Sequence, residues 1–264
     1  MDYLKKQYST LKVEVREQVA VIRFNRPEAM NAANIEMSFE RLEIYEAVSK
    51  DPNVRVVIVT GNEKAYCAGG DLAAFSRFDP AAAKKFGERG LKYQKILEEM
   101  PKPTIAAVAG FAYGGGMENV LLCDLRIAAD NAKFALPEIK VGIFPGGGAT
   151  QRLLQNISLC KAKEMIFLGE SIDAQTALEI GLINKVVPLE NLMTEAFAWA
   201  RKLCKKPPLS IKAAKALING AWGTKTIDGV ALESEAWAQI FGTEDQKEGM
   251  NAFLEKRKPN FTGK

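Results

Sequence analysis

Histidine is the residue that this sequence lacks altogether, since none occurs among its 264 residues. That absence excludes Ser-His-Asp and Cys-His catalysis, histidine ligands to a metal, and acid-base chemistry by imidazole. An enzyme built from this chain must therefore move protons with carboxylates, lysine, tyrosine, cysteine or backbone groups.

Cysteine is scarce, and no two cysteines form a CxxC pair. The four residues are Cys67, Cys123, Cys160 and Cys204. Scattered cysteines predict neither a zinc site nor a disulfide framework, so we expect no metal and a reducing, cytoplasmic location.

Long apolar segments and blocks of like charge are also missing. The opening MDYLKKQYST has no apolar core of a signal peptide, and no run approaches the roughly 18 apolar residues of a membrane span. We therefore expect a soluble, unprocessed protein.

The formal net charge is only +4, and the densest basic cluster is KRK at 256–258. This mild charge fits a small anionic ligand better than a long nucleic-acid footprint.

The amino-terminal half alternates strand and helix patterns. LKVEVR and VAVIRF alternate apolar and polar residues around Glu17 and Gln18, which predicts a β-hairpin. Helical spacing follows over 35–49 and again over about 81–100, with buried-type strands at 54–61 and 104–110. Strands and helices in this order favour a layered α/β fold with crossover connections.

The carboxyl-terminal part is mostly helical. The pair Pro207-Pro208 predicts a boundary, because neither residue fits a helix interior. We expect a core over 1–205 and a helical region over 206–264, with helices at 209–222, 228–241 and 243–256. Thr243 followed by Gln246 predicts a capping box.

The segment AYGGGMENVLLCD (112–124) combines three glycines with one carboxylate, Glu118, in an apolar run. Glycine at a helix start has three interpretations. It can permit tight packing of the helix on a sheet. It can belong to a dinucleotide-binding fingerprint, but Asn119 occupies the place of the third glycine, and Gln151 does so after the later triplet at 146–148.

The third interpretation is an oxyanion site. Free N–H groups in the first turn of a helix can bind a developing negative oxygen, and glycine lets a bulky carbonyl approach them. This interpretation gives Glu118 a role beside the reacting centre. Glu138, in FALPEIKVGIFPGGG, is a second carboxylate in an apolar, loop-rich context. Two such groups near one N–H site are what proton transfer next to a carbonyl requires in a chain without histidine.

The residues resemble those of the crotonase superfamily, most of all its 2-enoyl-CoA hydratase branch. The similarity covers nearly the whole chain, with its motifs in the family's order. The matching segments are NRPEAMNA (25–32), EKAYCAGGDL (63–72), PTIAAVAGFAYGGGMENVLLCD (103–124), FALPEIKVGIFPGGGATQRL (134–153) and EGMNAFLEKRKPNF (248–261).

The resemblance implies a spiral of ββα units with a carboxyl-terminal helical region used in trimer formation, as a homotrimer or a dimer of trimers. It also implies an acyl-CoA thioester as substrate, with no cofactor apart from the coenzyme A that the substrate itself carries. Neither a membrane nor nucleic acid is an expected partner.

On the matching positions, the resemblance implies a set of site residues. The oxyanion donors would be the backbone N–H groups of Ala68 and Gly115, and the catalytic carboxylates would be Glu118 and Glu138. Phe253 and Lys256 would contact the coenzyme, often from a neighbouring subunit. The remaining positions implied to bind substrate or coenzyme A are Lys64, Ala65, Tyr66, Gly69, Gly70, Asp71, Leu72 and Gly114.

Such a site would add water across the double bond of a 2-enoyl-CoA thioester to give a 3-hydroxyacyl-CoA. Having both glutamates favours hydration, since the isomerases of the superfamily often keep only the carboxylate equivalent to Glu138. An isomerase and a hydratase for a cyclic or carnitine-type acyl group nevertheless remain alternatives. Residues 75–86, with Tyr113, Met117 and Phe144, are expected to shape the acyl pocket.

Two further classes of function come with the superfamily. One branch binds RNA through a lysine-rich helix, and the candidate cations here are Lys84, Lys85, Arg89, Lys92 and Lys95. Glutamates interleave with them, so a solvated helix face is the better interpretation. A subunit that keeps the fold without catalysis is disfavoured by the two glutamates and the glycine triplet.

Overall fold

The computed structural model describes residues 2–264 and contains two β-sheets with helices packed around them. The strands are β1 (Leu11–Arg16), β2 (Val19–Phe24), β3 (Val56–Thr60), β4 (Ala65–Cys67), β5 (Thr104–Val108), β6 (Phe111–Tyr113), β7 (Leu125–Ala129), β8 (Lys133–Ala135), β9 (Ile172–Asp173) and β10 (Lys185–Val187). The helices are α1 (Asp2–Lys5), α2 (Ile35–Lys50), α3 (Leu72–Phe75), α4 (Pro80–Glu98), α5 (Gly115–Leu122), α6 (Ala149–Arg152), α7 (Leu159–Leu168), α8 (Ala174–Glu179), α9 (Leu192–Cys204), α10 (Pro208–Gly220), α11 (Thr226–Ile240) and α12 (Glu244–Leu254).

The predicted hairpin is confirmed. β1 and β2 pair antiparallel in register from Leu11 opposite Phe24 to Arg16 opposite Val19. Glu17 and Gln18 between them both have positive φ, at 51° and 63°. Two such residues form the tight turn whose twist matches that of the flanking strands.

The larger sheet has the order β1-β2-β3-β5-β7-β10, and all its pairings after the first are parallel. Its strands are buried on both faces. Ile58 packs toward α9, whereas Val57 and Val59 pack toward α2 and α4. Burial on both faces explains why VVIVT is uniformly apolar rather than alternating.

The smaller sheet has the order β4-β6-β8-β9. Each passage of the chain places one strand in the larger sheet, one short strand in the smaller sheet and then a helix, as in β5, β6 and α5. This repetition is the ββα spiral that the sequence resemblance implied. The three-residue strands β4 and β6 lie inside the glycine motifs, where sequence patterns indicate only loops.

Helix α2 forms where helical spacing predicted it, and Ile44 and Val48, two of the apolar residues that marked that spacing, are buried as expected, but two others are not. Ile35 and Phe39 are exposed, whereas Met37, Arg41 and Ile44 are buried. An arginine therefore occupies an inward position of this helix.

The carboxyl-terminal region contains the three predicted helices, α10 to α12. Thr243 caps α12, since its side chain accepts the Gln246 N–H. The reciprocal half of the predicted capping box is not formed, because the Thr243 N–H donates to Ile240 instead. Within residues 2–264, no helix is both long and apolar enough to cross a membrane.

Candidate active site

A cavity of about 720 Å³ opens beside the carboxyl ends of β4 and β6, between α4 and the segment 137–147. Gly69 and Gly70 line it from the β4 side, and Gly114 and Gly115 from the β6 side. Both predicted carboxylates, Glu118 and Glu138, also line it. The glycine motifs and the two carboxylates predicted from the sequence therefore lie together around this cavity.

Glycine occurs at each of the three positions before Glu118 for a different physical reason. Gly116 is a packing glycine, because a Cβ there would overlap the carbonyl oxygen of Cys67. Gly114 has a φ of 49°, which side chains disfavour. Gly115 is the first residue of α5, and its N–H donates to no group among the described residues. The packing and oxyanion interpretations are thus both supported, at adjacent residues.

Ala68 is not available as the second donor, which corrects the prediction from sequence. Its N–H donates to the carbonyl oxygen of Met30 at 3.0 Å. The free N–H is two residues further on, at Gly70, which has no acceptor in the part of the chain that is described. The Gly70 nitrogen lies 3.9 Å from a Cβ built on Gly115, so these two amides are neighbours.

A bridge to the segment after β2 orients the Gly70 amide. The Gly69 carbonyl accepts the Ala33 N–H at 2.7 Å, and the Asp71 N–H donates to the Ala33 carbonyl at 3.0 Å. Successive peptide groups of extended backbone point to opposite sides. The Gly69 carbonyl and the Asp71 N–H both point toward Ala33 and form the bridge. The Gly70 N–H therefore points to the opposite side, toward the cavity.

Glu118 is buried, with 7% of its surface exposed. Its Oε1 accepts the N–H of Gly147 at 2.6 Å and that of Ala149 at 3.2 Å. Burial raises the pKa of this carboxyl, while the two backbone donors and the positive charge of Arg152 favour its ionised form. The two bonds also fix where the carboxylate lies.

Glu138 lies in a short 3-10 helix, Pro137–Val141, with Pro137 in its first turn. Burial, followed by the nearby charge of Glu118, raises the pKa of Glu138 to about 7. Its Oε2 is buried without a hydrogen-bond partner, and its Oε1 lies 3.0 Å from a Cβ built on Gly114. Glu138 is therefore the carboxyl that more readily holds a proton near neutral pH.

Arg152 connects the glycine loop before α6 to α4. Its Nε and Nη2 each donate to a different oxygen of Glu98 at 2.8 Å, and its Nη1 donates to the Gly147 carbonyl at 3.0 Å. Sequence reasoning considered the triplet 146–148 only as a failed nucleotide motif. Its role here is to present a backbone donor, the Gly147 N–H, to Glu118, which no local pattern in the sequence indicates.

Aromatic side chains form one wall of the cavity. Phe75, Phe78 and Phe86 pack together with ring centroids 5.0–5.7 Å apart. The Phe75 ring lies against Gly70. Residues of 75–86 therefore line the cavity, as does Phe144, and their contact with the acyl group stays a prediction. Met117 is fully buried in the core instead, and its predicted pocket role is wrong.

Three positions predicted to bind substrate have other structural roles. Ala65 and Tyr66 are completely buried in β4 and do not line the cavity, and the Tyr66 hydroxyl donates to Asn119 at 2.6 Å. The Asp71 carboxylate caps α3 by accepting the Ala74 N–H and lies 3.4 Å from Arg26. These side chains hold the motif in shape. Leu72 does line the cavity, as predicted.

Lys64, Phe253 and Lys256 lie outside the cavity wall of this single chain. Phe253 is 82% exposed on α12, and Lys256 follows that helix with a positive φ of 55°. Contact between these residues and coenzyme A stays a prediction.

The chain matches the family model described as enoyl-CoA hydratase/isomerase over residues 14–264. It is 43% identical over 258 residues to the crotonyl-CoA hydratase of Syntrophomonas wolfei, covering 97% of this chain and 99% of that protein. It is 42% identical to the short-chain-enoyl-CoA hydratase of Clostridium acetobutylicum, covering 93% and 95% of the two chains.

Among solved structures, the enoyl-CoA hydratase of Bacillus anthracis is similar with a TM-score of 0.93 and 35% identity. That similarity covers 97% of this chain and 100% of the other. A family model that spans nearly the whole chain agrees with these relatives and with the ββα spiral. This chain belongs to the enoyl-CoA hydratase/isomerase family.

Proposed function

We propose that this protein is an enoyl-CoA hydratase, which adds water across the double bond of a 2-enoyl-CoA thioester to give a 3-hydroxyacyl-CoA. The observation that carries the proposal is one cavity bearing two carboxyl groups and two neighbouring backbone N–H groups that have no acceptor within residues 2–264. The sequence similarity to named hydratases supports the same activity.

The thioester oxygen binds to the N–H groups of Gly70 and Gly115. When water adds to C3, electrons move toward the thioester carbonyl and negative charge grows on its oxygen. Two fixed donors stabilise this charge, and loss of one such donor typically costs about 3 kcal/mol of transition-state stabilisation. Gly115 also lies in the first turn of α5, where the helix dipole favours negative charge.

Glu118 is the base in this mechanism. Its two backbone hydrogen bonds favour the ionised form, and Oε2 remains free of them to accept a proton. Glu118 takes one proton from the water, whose oxygen bonds to C3 of the acyl chain. A positioned base of this kind typically contributes about 10²- to 10⁴-fold in rate.

Glu138 is the acid. Its raised pKa keeps the proton available near neutral pH. Glu138 gives that proton to C2 as the enolate collapses, which completes the addition. Transfer of the proton from Glu118 to Glu138 through solvent restores the starting state. Since the two carboxyls interact, the observed pKa values belong to the pair.

The proposal needs no cofactor, because the coenzyme A thioester of the substrate supplies the electron sink. It includes assembly as a homotrimer or a dimer of trimers through the carboxyl-terminal helices. Large apolar side chains exposed there, such as Trp222, Trp237 and Phe253, support an interface between copies. The mass of the protein in solution tests the assembly.

The activity is tested with crotonyl-CoA, by following the loss of absorbance of the conjugated thioester. We expect turnover by the wild type and loss of most of the rate in Glu118→Gln and in Glu138→Gln. Binding of a saturated acyl-CoA, measured alongside, should persist in both variants. Turnover that survives Glu118→Gln at full rate would contradict the proposed base, and a wild type that binds butyryl-CoA but leaves crotonyl-CoA unchanged would contradict hydration.

A further inference from the structure

Arg41 is a buried cation without a carboxylate partner. It lies on the inward face of α2 with 2% of its surface exposed, and no salt bridge to it occurs within residues 2–264. Removing a charge from water without pairing it costs several kcal/mol. We therefore expect a group of opposite charge to compensate the buried charge at this position.

The contacts that Arg41 does make are with neutral groups. Its Nη1 donates to the hydroxyl of Tyr93 at 3.3 Å, and its Nη2 lies 3.2 Å from the sulfur of Met37. The guanidinium stacks over the rings of Phe24, at 4.6 Å, and Tyr93, at 5.3 Å. Its Nε is buried and has no acceptor in the described part of the chain.

Acidic groups nearby do not supply the missing negative charge. Burial raises the pKa of the Cys67 thiol and also that of the Tyr45 phenol, so both stay neutral. Glu118 uses its Oε1 on backbone donors, and the cation that acts on it is Arg152. Among residues 2–264, no negative charge therefore compensates that of Arg41.

Arg41 also lines the cavity, beside two other polar side chains. Tyr93 and Gln94 of α4 line the same wall, and both lie about one helical turn after Gly90. A Cβ built on Gly90 would lie 3.6 Å from the Gln94 Nε2 and 3.9 Å from the Tyr93 hydroxyl. Glycine in a helix interior is less favourable than alanine. Here it leaves room for a ligand next to the polar groups.

We propose that Arg41 binds a carboxylate at the far end of the acyl chain, so that the preferred substrates are enoyl-CoA thioesters of dicarboxylic acids. The planar fork of a guanidinium matches the two oxygens of a carboxylate, and Arg41 lines the cavity without a carboxylate partner among the described residues. The Tyr93 hydroxyl, which accepts a hydrogen bond from Arg41, and the Gln94 amide line the same cavity as further hydrogen-bonding groups. An acyl chain ending in a methyl group would leave the cation unpaired. The inference rests on the proposed hydratase activity and adds its substrate class.

The first test compares matched substrates with the wild-type protein. Hydration of trans-2-hexenoyl-CoA is measured beside that of trans-2-hexenedioyl-CoA, which replaces the terminal methyl by a carboxylate. The same comparison is made one carbon shorter and one carbon longer, to bracket the distance to Arg41. At the best length we expect kcat/KM to favour the carboxylate-ended substrate by about 10- to 100-fold, the range of a charge-assisted hydrogen bond.

The second test changes the cation. In Arg41→Met, the preference for the carboxylate should disappear while crotonyl-CoA hydration stays close to wild type. Arg41→Lys, which keeps the charge but not the fork, should retain an intermediate preference. Lys92→Met removes an exposed cation from the same region of α4 and should leave the preference unchanged. Replacing an unpaired buried charge by an apolar side chain is often neutral or stabilising, and thermal unfolding checks this.

The outcomes separate the two proposals. Normal crotonyl-CoA turnover with a methyl preference at every chain length would overturn the role of Arg41 and leave the hydratase intact. If no enoyl thioester is hydrated, the hydratase fails, and equilibrium binding of hexanedioyl-CoA against hexanoyl-CoA to the wild type tests Arg41 by itself. Equal loss of all substrates in a folded Arg41→Met would make Arg41 a structural residue and overturn the inference.

Discussion

The Glu118 carboxylate accepts the Gly147 N–H at 2.6 Å, so a loop 29 residues further along the chain fixes the position of the proposed base. Gly147 has no side chain, and a Cβ there would overlap the Glu118 carboxylate. The position of the buried Glu118 carboxylate therefore depends on glycine at position 147.

The pH dependence of the reaction should report the proton on Glu138. Since the pKa of Glu138 is raised to about 7, its protonated fraction falls as the pH rises through that value. We expect kcat/KM for crotonyl-CoA to fall above about pH 7, approaching tenfold per pH unit. A rate that instead rises through pH 7 would exchange the roles of the two glutamates. In Glu138→Gln, the residual activity should not show this fall above about pH 7.

Glu138 should also make stability depend on pH. Its pKa rises from an ordinary 4.5 when unfolded to about 7 when folded, so the folded chain holds the proton more tightly. The unfolding free energy should therefore decrease as the pH rises from about 5 and through 7. At pH 8, Glu138→Gln should stabilise the protein on the order of 2 kcal/mol, an amount reduced for partial contact with solvent. Denaturant unfolding at both ends of this range measures the difference, which should vanish near pH 4.5.

Gly70, rather than Ala68, should supply the second oxyanion donor. Gly70→Pro removes the N–H, and we expect a loss of about 10²- to 10³-fold in kcat. Gly70→Ala keeps the N–H, and the three atoms nearest to its Cβ all belong to the Phe75 ring, whose far end can shift. The alanine variant is the matched control and should retain most activity. Equal activity of both variants, with circular dichroism like that of the wild type, would exclude Gly70 as a donor.

Gly116 should tolerate no side chain. Its Cβ would overlap the backbone oxygen of Cys67, so Gly116→Ala must push α5 away from β4. Overpacking of this kind costs about 1–3 kcal/mol. Thermal unfolding should show the loss, together with reduced hydration of crotonyl-CoA. Gly220→Ala serves as the control, because nothing lies within 4 Å of its Cβ position. A melting temperature of Gly116→Ala equal to that of the control would contradict the packing role.

Arg152 should position the base without touching the substrate. Arg152→Lys cannot form the paired bonds to Glu98 together with the bond to the Gly147 carbonyl. We expect kcat to fall about tenfold, roughly 1.4 kcal/mol, with KM nearly unchanged. The limb of the pH profile below neutrality should shift as well, since Arg152 favours ionised Glu118. A rise in KM alone would indicate that Arg152 acts on substrate binding instead.

Some of this site was predictable from local patterns. The absence of histidine left carboxylates as the proton carriers, and two of them, Glu118 and Glu138, stood in apolar contexts near glycine turns. Both line the cavity. The alternation of apolar and polar residues likewise predicted the hairpin around Glu17 and Gln18, because its two strands are neighbours in the chain.

Other features depended on which backbone groups find partners at a distance. Whether Ala68 or Gly70 has a free N–H is decided by Met30 and Ala33, more than thirty residues earlier. The Gly147 loop gains its role only when α5 brings Glu118 to it. Sequence spacing carries no information about such pairings.

The sequence by itself determined the fold family through the resemblance of its motifs, the hairpin and the long helices through their periodicity, and the two carboxylates through their apolar contexts. Tertiary structure alone decided which amides stay free, which carboxyl holds its proton, and that Arg41 faces a cavity rather than solvent. The physical reason is that hydrogen-bond satisfaction, desolvation and burial are set by groups distant in the chain, which meet only when the sheets and helices pack together.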